Sequence, residues 1–463
     1  MSFDLSECIR KAEKKYSNSR NIYTEEQEEA LALIKNWYYS DDRQVFKLTG
    51  LAGTGKTYLI SHLEEELDCS ILYLAYTGKA SNNLSVKGLE SRTIHSVLYR
   101  PTKDLCEPSD SLLSQVISEL GLKCSMESCK SRLLEAFSNS ASEKVLKFVR
   151  KDSSQEEIPS LIVIDEASMV SRVIYTDLME LDVKILLCGD PGQLPPIETD
   201  KTWSALSNPD YTLTNIQRQQ EDNPIIQLAH KIYNWNIESL EYNAPSQTDS
   251  GMCLILNKQF GAASNAGKHI EDLMLQAEQV LCFTNKYRAY ANDCLRKRKG
   301  FTKIFPQPGD KLICAKNNWR LVTDDVPLVN GQIGECISFD IKNRTCDKKS
   351  YPVGVLEFMP DYTTQILKVQ ISLNPFLPKE ERIPEDVVDY LKLNKFEYGY
   401  AITVHKAQGS EWDSVFAVYD SNITVDHLKE WLYTALTRAR NQVILYLPKV
   451  NAIENIRKIY PKD

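Results

Sequence analysis

Short apolar runs alternate with longer amphipathic stretches over most of the chain. One amphipathic stretch begins at Thr24–Gln27, which has the residue types of a capping box, and it places Leu31, Ile34 and Trp37 on one helical face. Mainly apolar runs with the length of buried strands lie at residues 45–48, 71–74, 161–164, 184–187, 279–283, 415–418 and 442–446. This alternation predicts an α/β fold in which helices cover both faces of parallel sheets.

Two segments interrupt the alternation. Residues 100–157 are polar, rich in Ser and Lys and only weakly helical in pattern, which indicates an insertion. Residues 301–394 are rich in strand and turn patterns, and Asn330-Gly331 suits a tight hairpin turn because this pair tolerates positive φ. We therefore predict two lobes, each with one insertion. The predicted boundaries are 1–99 and 158–204 for the first lobe, 100–157 for its insertion, 205–300 and 395–463 for the second lobe, and 301–394 for an inserted β-barrel.

Composition and charge narrow the class of protein. A chain of 463 residues is long enough for two to four domains, and its net charge of −8 argues against a broad nucleic-acid-binding coat but allows a narrow basic channel. No apolar run suits a membrane span or a signal peptide, so we expect a cytoplasmic protein with reduced cysteines and no membrane attachment. Cys106, Cys124 and Cys129 lie close together without a CxxC pair, so no zinc site is predicted.

A glycine-rich motif between a strand and a helix predicts a phosphate-binding P-loop. Its residues, which we expect to bind the nucleotide, are Gly50, Leu51, Ala52, Gly53, Thr54, Gly55, Lys56 and Thr57. Glycines at this spacing let backbone N–H groups close around phosphate oxygens. Lys56 would reach the β- and γ-phosphates, and the Thr57 hydroxyl would hold Mg²⁺.

A pair of carboxylates supplies the second half of a nucleotide-hydrolysing site. Asp165 and Glu166 follow the apolar strand at residues 161–164, and the ends of such strands are where ligands bind in α/β sheets. Asp165 would organise the Mg²⁺ shell, and Glu166 would polarise the attacking water. The two motifs together predict a nucleoside triphosphatase, but they do not indicate what hydrolysis drives.

Further motifs, in order along the chain, resemble those of superfamily 1 helicases, in the spelling of the RecD-like branch that includes compact Dda-like enzymes. The matching segments are Ala75–Ala80, Thr93–Ser96, Asp165–Ser168, Gly189–Pro196, Asn215–Gln219, Ala401–Glu411 and Tyr433–Arg440. This resemblance implies two RecA-like lobes with parallel sheets, a pin-type insertion at 100–157 that splits the duplex, and an SH3-like barrel at 301–394.

The resemblance also implies roles for individual residues. Gln193 would sense the γ-phosphate, and Arg218 and Arg438 would act as arginine fingers from the second lobe, because a guanidinium fork suits phosphoryl oxygens. Gln27 would read adenine, although it also fits the capping box. The residues implied in contacts with single-stranded DNA, each of which could otherwise be a solvated loop residue, are Thr77, Lys79, His95, Thr403 and His405.

The function expected from this resemblance is an ATP- and Mg²⁺-dependent DNA helicase that moves 5′ to 3′ on single-stranded DNA. We expect a monomer that acts at duplex junctions in replication, recombination or repair, with proteins of those processes as possible partners, in the host cytoplasm if a phage encodes it. Two alternatives stay open at this point. One is an RNA helicase, because a 2′-hydroxyl preference is not visible in these motifs. The other is a P-loop ATPase switch that does not translocate.

Overall fold

The computed structural model of the chain describes residues 23–40, 42–101, 148–150, 159–196, 203–217, 222–234, 245–257, 266–323, 326–346, 348–421 and 428–448. These residues fall into two compact units. The first unit holds the described residues within 1–92, 157–299 and 400–463, and the second holds those within 93–156 and 300–399. Within the described ranges, every helix is too short or too polar to cross a lipid bilayer.

The elements of the first half of the chain build one six-stranded sheet and the base of an insertion. In chain order they are α1 (Glu25–Tyr39), β1 (Val45–Gly50), α2 (Lys56–Ser61), α3 (Leu63–Leu67), β2 (Ile71–Ala75), α4 (Gly78–Val86), β3 (Ser91–Thr93), α5 (Ile94–Leu98), β4 (Tyr99–Pro101), β5 (Phe148–Arg150), β6 (Leu161–Asp165), α6 (Arg172–Met179), β7 (Lys184–Gly189) and β8 (Tyr211–Leu213).

The first sheet has the strand order β3-β2-β6-β7-β1-β8. Strands β2, β6, β7, β1 and β8 pair in parallel, and the first four of them coincide with predicted apolar runs. Helix α1 begins with the predicted capping box, and its residue Trp37 packs 5.5 Å from the ring of Phe46 on β1. Because β1, β6 and β7 run in the same direction, their carboxyl ends meet at one edge of the sheet.

The predicted start of the second lobe at residue 205 is wrong. Strand β8 pairs with β1, with Tyr211 opposite Leu48 and Leu213 opposite Gly50, so the first sheet extends to residue 213. The physical reason is that β8 has only three residues and lies at the edge of the sheet, where it needs no long apolar run to be paired.

The second half of the chain contains the second parallel sheet and the inserted strands. In chain order its elements are α7 (Pro224–Tyr233), β9 (Pro245–Thr248), β10 (Gly251–Asn257), α8 (Ala266–Gln276), β11 (Gln279–Cys282), α9 (Asn285–Arg298), β12 (Lys311–Cys314), β13 (Asn318–Thr323), β14 (Val326–Leu328), β15 (Ile333–Cys346), β16 (Lys349–Pro360), β17 (Leu367–Ile371), α10 (Glu385–Tyr390), β18 (Phe396–Tyr398), β19 (Ala401–Thr403), α11 (Val404–Ala407), β20 (Trp412–Val418), α12 (Leu428–Leu436) and β21 (Ala439–Leu447).

The second sheet belongs to the same compact unit as the first and has the order β19-β11-β20-β21-β10-β9. All its pairs are parallel except the pair of β10 with the edge strand β9. The chain therefore has two parallel α/β sheets, and the predicted α/β fold class is confirmed at this level.

In the second unit, residues 300–399 form an antiparallel sheet in the order β17-β16-β15-β12-β18, with a separate hairpin of β13 and β14. Leu312, Cys336 and Phe358 contribute to its buried core. Gly331 has a φ of 90°, which agrees with the predicted turn at Asn330-Gly331. The predicted end of this insertion at residue 394 is too early, because β18 pairs with β12 and closes the sheet four residues later, at Tyr398.

The first insertion is described only at its base. Strands β4 and β5 pair antiparallel, with Tyr99 opposite Arg150, and the second unit begins at Thr93 rather than after residue 99. Residues 102–147 lie outside the described residues, and so do Cys106, Cys124 and Cys129. The pin-type shape of this insertion remains a prediction.

Candidate active site

The P-loop lies between β1 and α2 and is closed by two glutamines. Gly55 has a φ of 81°, in the left-handed region that favours glycine. A Cβ atom built there would lie 2.5 Å from Gln27 Nε2 and 3.0 Å from Gln217 Nε2. The Gln217 backbone N–H also donates to Gly53 O at 2.9 Å. The left-handed backbone conformation therefore favours glycine here, and a larger residue would also have to displace the ends of these two side chains.

The ammonium of Lys56 lies inside the curl of the loop. Its Nζ atom donates to Gly50 O at 2.6 Å and to Leu51 O at 2.9 Å, and it lies 4.0 Å from a carboxylate oxygen of Asp190. The positive charge therefore lies at the P-loop itself, and its predicted contact with the β- and γ-phosphates remains a prediction.

The two carboxylates lie at the carboxyl end of β6. Asp165 accepts hydrogen bonds from the Glu166 backbone N–H at 2.9 Å and from the Thr57 hydroxyl. Glu166 has a φ of 54°, a left-handed conformation that is unusual for a non-glycine residue and is typical of functional sites. Burial raises the pKa of Asp165 and of Glu166, and in both cases the Lys56 charge opposes that effect.

Arg438 reaches this site from the second sheet. Its side chain is buried and donates to Thr434 O, Ser410 O and Thr437 Oγ1, each at 3.2 Å. The charge of Arg438 also acts to lower the pKa of Glu166, so the guanidinium lies near that carboxylate. Arg218, the second predicted arginine finger, lies outside the described residues.

The residues of both lobes line one cleft with a volume of about 1330 Å³. Lining residues from the predicted set are Ala52, Gly53, Gly55, Lys56, Thr57, Asp165, Glu166, Gln193 and Arg438. Gln193 Oε1 is buried and has no hydrogen-bond partner among the described residues, so it is an acceptor available to a polar ligand or to water. A cleft of this size and polarity fits a nucleoside triphosphate.

Thr57 and Asp165, the two residues predicted to hold Mg²⁺, are brought within hydrogen-bonding distance of each other. No group of three or more His, Cys, Asp or Glu side chains in the described ranges is arranged to hold a metal ion. The donor set nevertheless fits Mg²⁺, because in nucleotide sites this ion takes one or two protein oxygens and completes its shell with phosphates and water.

Gln27 forms both halves of the capping box. Its Oε1 accepts from the Thr24 backbone N–H at 3.0 Å, and its own N–H donates to Thr24 Oγ1 at 3.4 Å. Its Nε2 donates to Gly55 O at 3.3 Å, so the side chain also connects α1 to the P-loop. The capping alternative is confirmed, whereas the adenine-reading role remains a prediction.

Two segments predicted to contact DNA meet between the two sheets. Lys79 Nζ lies 4.9 Å from the ring centre of Trp412, and a Cβ atom on Gly409 would lie 2.8 Å from Thr77 Oγ1. The backbone N–H of Trp412 in turn donates to Arg438 O at 2.9 Å. Trp412 thus contacts both Lys79, a candidate DNA contact of the first lobe, and Arg438 of the nucleotide site.

The remaining DNA-contact candidates lie on separate elements. Thr403 ends β19, and His405 lies exposed on the short helix α11 that follows it. His95 belongs to the second unit, on α5, where burial lowers its pKa and its ring lies 5.8 Å from that of Tyr99. Their roles in DNA binding remain predictions.

The structure also brings side chains into the site to which the motifs assigned no role. Tyr433 and His230 contact the P-loop residue Ala52, and Gln217 Nε2 donates to Thr54 O at 3.2 Å. Tyr433 and Gln217 lie inside motif segments, and this is the one indication in the sequence that they belong to the site. His230 lies on the amphipathic helix α7, and its sequence neighbourhood gives no indication of this contact.

Comparison with known families matches two regions of the chain. Residues 22–244 match the model described as AAA domain, and residues 398–446 match the model described as UvrD-like helicase C-terminal domain. The first match contains the P-loop, the carboxylate pair and Gln193. The second contains Thr403, His405 and Arg438.

Similar proteins include helicases of known name. The ATP-dependent RecD2 DNA helicase of Deinococcus radiodurans is 25% identical over 85% of this chain and 46% of its own length. The RecBCD enzyme subunit RecD of Buchnera aphidicola is 22% identical over 89% of this chain and 71% of its own length. The chain thus spans less than half of the RecD2 relative. A structure of Bacteroides Pif1 bound to ssDNA aligns with 94% of this chain and 96% of its own, at 16% identity and a TM-score of 0.47.

Proposed function

We propose that this chain is a superfamily 1 helicase of the RecD-like branch, an ATP-dependent motor that moves 5′ to 3′ on single-stranded DNA and unwinds duplex DNA. The observation that carries the proposal is a single cleft lined by the P-loop and carboxylates of one sheet and by Arg438 of the other. Because the ligand would contact both lobes, its binding and hydrolysis can change how closely they pack, and such closure is a general way to move a domain.

Each residue of the cleft has a part in hydrolysis that its position supports. Lys56 would bind the phosphates, while Thr57 and Asp165 would hold Mg²⁺, which when bound neutralises charge on the phosphates. Glu166 would orient the attacking water and accept its proton. Gln193, with its open Oε1 acceptor, would help to position that water.

Arg438 would stabilise the charge that develops on the phosphoryl oxygens, together with Arg218. The burial of Arg438 supports this part, because a guanidinium removed from water acts more strongly on nearby charge.

The DNA strand would be held through its phosphates. Thr77 and Lys79 of the first lobe and Thr403 and His405 of the second are polar or basic, and the first pair lies against the segment that carries the second. We assign His95 to the same strand. Phosphate contacts of this kind position a protein without reading sequence, which suits a motor.

At a finer level, we propose a compact Dda-like enzyme in which residues 100–157 act as the pin and the antiparallel sheet of residues 300–399 acts as an SH3-like barrel. The DNA junction is the expected substrate, in replication, recombination or repair, and the enzyme would work as a monomer. The antiparallel sheet supports the second assignment, since it interrupts the second α/β lobe where the branch carries its barrel.

The proposal is tested by ATP hydrolysis with and without a DNA track. We expect single-stranded DNA to stimulate hydrolysis, and an RNA strand of the same sequence to stimulate it much less. Equal or stronger stimulation by RNA would favour an RNA helicase. A rate of ATP hydrolysis that changes with neither DNA nor RNA would favour the P-loop ATPase switch that does not translocate.

A further inference from the structure

Both backbone polar groups of the P-loop residue Ala52 are held by the second lobe. Its N–H donates to the Tyr433 hydroxyl at 2.6 Å, and its carbonyl oxygen lies 3.1 Å from His230 Nε2, which can donate to it. Tyr433 lies on α12 and His230 on α7, the two helices of the second lobe that pack against each other. Two side chains of the second lobe therefore contact both backbone polar groups of this one P-loop residue.

The Tyr433 hydroxyl also joins the P-loop to Asp190. It donates to Asp190 Oδ2 at 2.8 Å, and Asp190 accepts a second bond from the Gly192 N–H at 2.8 Å. The same carboxylate lies 4.0 Å from Lys56 Nζ. Tyr433 is 0% and Asp190 2% exposed, so these contacts are made away from water, where they are strongest.

The ring of Tyr433 packs against Gly192, where a side chain would leave it no space. A Cβ atom on Gly192 would lie 2.9 Å from Tyr433 Cε1, closer than real Cβ atoms approach, and 3.0 Å from Tyr233 Cδ2, which is a tight contact. The neighbouring Thr434 Oγ1 accepts the backbone N–H of Leu194 at 2.9 Å. The loop from Gly189 to Pro196 is thus docked on α12 at two successive residues.

The phenol can act only as long as it keeps its proton, because it is the donor to Asp190. Burial, and secondly the charge of Asp190, raise the pKa of Tyr433 well above its ordinary value. The hydroxyl therefore remains a donor throughout the neutral range, and its link to Asp190 does not switch off with ordinary changes of pH.

We propose that Tyr433 is a positioning residue for ATP hydrolysis, whose hydroxyl transmits the position of the second lobe to Lys56 through Asp190 and to the P-loop through Ala52. The inference rests on the proposed ATPase function. In the absence of the hydroxyl, the Ala52 N–H and Asp190 each lose a partner, and the Asp190 carboxylate is left to compete for the Lys56 ammonium. The charge that Lys56 offers to phosphates is then misplaced, although the cleft itself keeps its shape.

The first experiment compares Tyr433→Phe with Tyr73→Phe. Tyr73 is also 0% exposed, and its hydroxyl donates to Ile60 O at 2.9 Å. The Tyr73→Phe variant therefore loses one buried hydrogen bond that does not involve Ala52 or Asp190. Since a bond to a charged group is worth about a factor of ten or more, we expect Tyr433→Phe to lower DNA-stimulated kcat at least about tenfold. KM for ATP should rise less than kcat falls, because the other P-loop groups still bind the phosphates, whereas the Lys56 charge matters most as charge develops in the transition state. The Kd for single-stranded DNA should be unchanged in both variants.

A double-mutant cycle tests the route through Asp190. If the hydroxyl acts through this carboxylate, Tyr433→Phe should lower kcat much less in an Asp190→Asn background than in the wild-type protein. Equal losses in both backgrounds would overturn the proposed route. Wild-type kcat in Tyr433→Phe, or an equal loss in Tyr73→Phe, would overturn the inference itself. Failure of the proposed function shows differently, as a wild-type protein whose ATP hydrolysis does not respond to DNA.

Discussion

At the residue scale, the motifs place the chemistry but not the connections between its parts. Lys56, Asp165, Glu166, Gln193 and Arg438 were expected in one site, and the structure brings all five to one cleft. The motifs did not reveal the hydrogen bonds that Tyr433 forms with Ala52 and Asp190, because these residues lie far apart in the chain. Tyr433 is 381 residues from Ala52 and 243 residues from Asp190. Spacing along the sequence carries no information about such a contact, and a buried tyrosine is more often a core residue.

At this scale, Glu166→Gln should separate nucleotide binding from hydrolysis. The amide keeps the size of the side chain but cannot accept a proton, so Mg·ATP should still bind while turnover falls by about 10² or more. Fluorescent-nucleotide binding and single-turnover hydrolysis measure the two properties. Lys56→Ala provides the contrast, since we expect it to lose turnover through its phosphate contacts. A Glu166→Gln enzyme that turns over at a substantial fraction of the wild-type rate would remove Glu166 from its assigned role.

At the element scale, apolar runs predicted the buried central strands, whereas short edge strands were missed. Strands β1, β2, β6 and β7 follow the predicted runs closely because each is covered on both faces. Strands β8 and β18 have three residues each, and pairing rather than hydrophobicity determines where they belong. This is why both the start of the second lobe and the end of the barrel were misplaced, although both lobes were recognised.

The edge strand β19, which carries Thr403, is held by a buried side chain. Asn292 Nδ2 donates to Ala401 O at 2.8 Å, and the Ala401 N–H donates to Asn292 Oδ1 at 3.0 Å. Asn292→Ala leaves both backbone groups without these partners, so we expect a loss of about 1–3 kcal/mol in the free energy of unfolding. Urea denaturation measures it, with the exposed Asn343→Ala as the control. A midpoint equal to that of the control would show that Asn292 does not stabilise this strand.

At the scale of the whole molecule, the sequence indicated how many parts there are, and the structure corrected where they begin and end. Two parallel sheets and an antiparallel insertion agree with the predicted organisation. The arrangement of residues 102–147 lies outside the described residues, so the pin remains a prediction. Polar segments without a period give little basis for predicting shape, because no buried face fixes their conformation.

The antiparallel sheet of the second unit can be removed between Lys299 and Tyr400, where the chain leaves and re-enters the first unit. The two side chains approach each other, with Lys299 Nζ 5.9 Å from the ring centre of Tyr400, so a flexible Gly/Ser linker can replace residues 300–399. Replacement of 301–394 alone would leave β18 without its partner β12. We expect the linker variant to lose duplex unwinding to a much greater extent than ATP hydrolysis without DNA. Equal losses of both activities would show that this sheet stabilises the fold of the ATPase rather than helping to hold the DNA strand.

The central claim is tested most directly by the polarity of strand separation. Two duplexes of identical sequence, one with a 5′ single-stranded tail and one with a 3′ tail, are incubated with the protein, Mg²⁺ and ATP at moderate salt, because phosphate contacts weaken as salt rises. Glu166→Gln serves as the control for unwinding that does not depend on hydrolysis. We predict ATP-dependent unwinding of the 5′-tailed duplex and little or none of the 3′-tailed duplex. Efficient unwinding from the 3′ tail alone, or no unwinding of either duplex by a protein that hydrolyses ATP, would contradict the account.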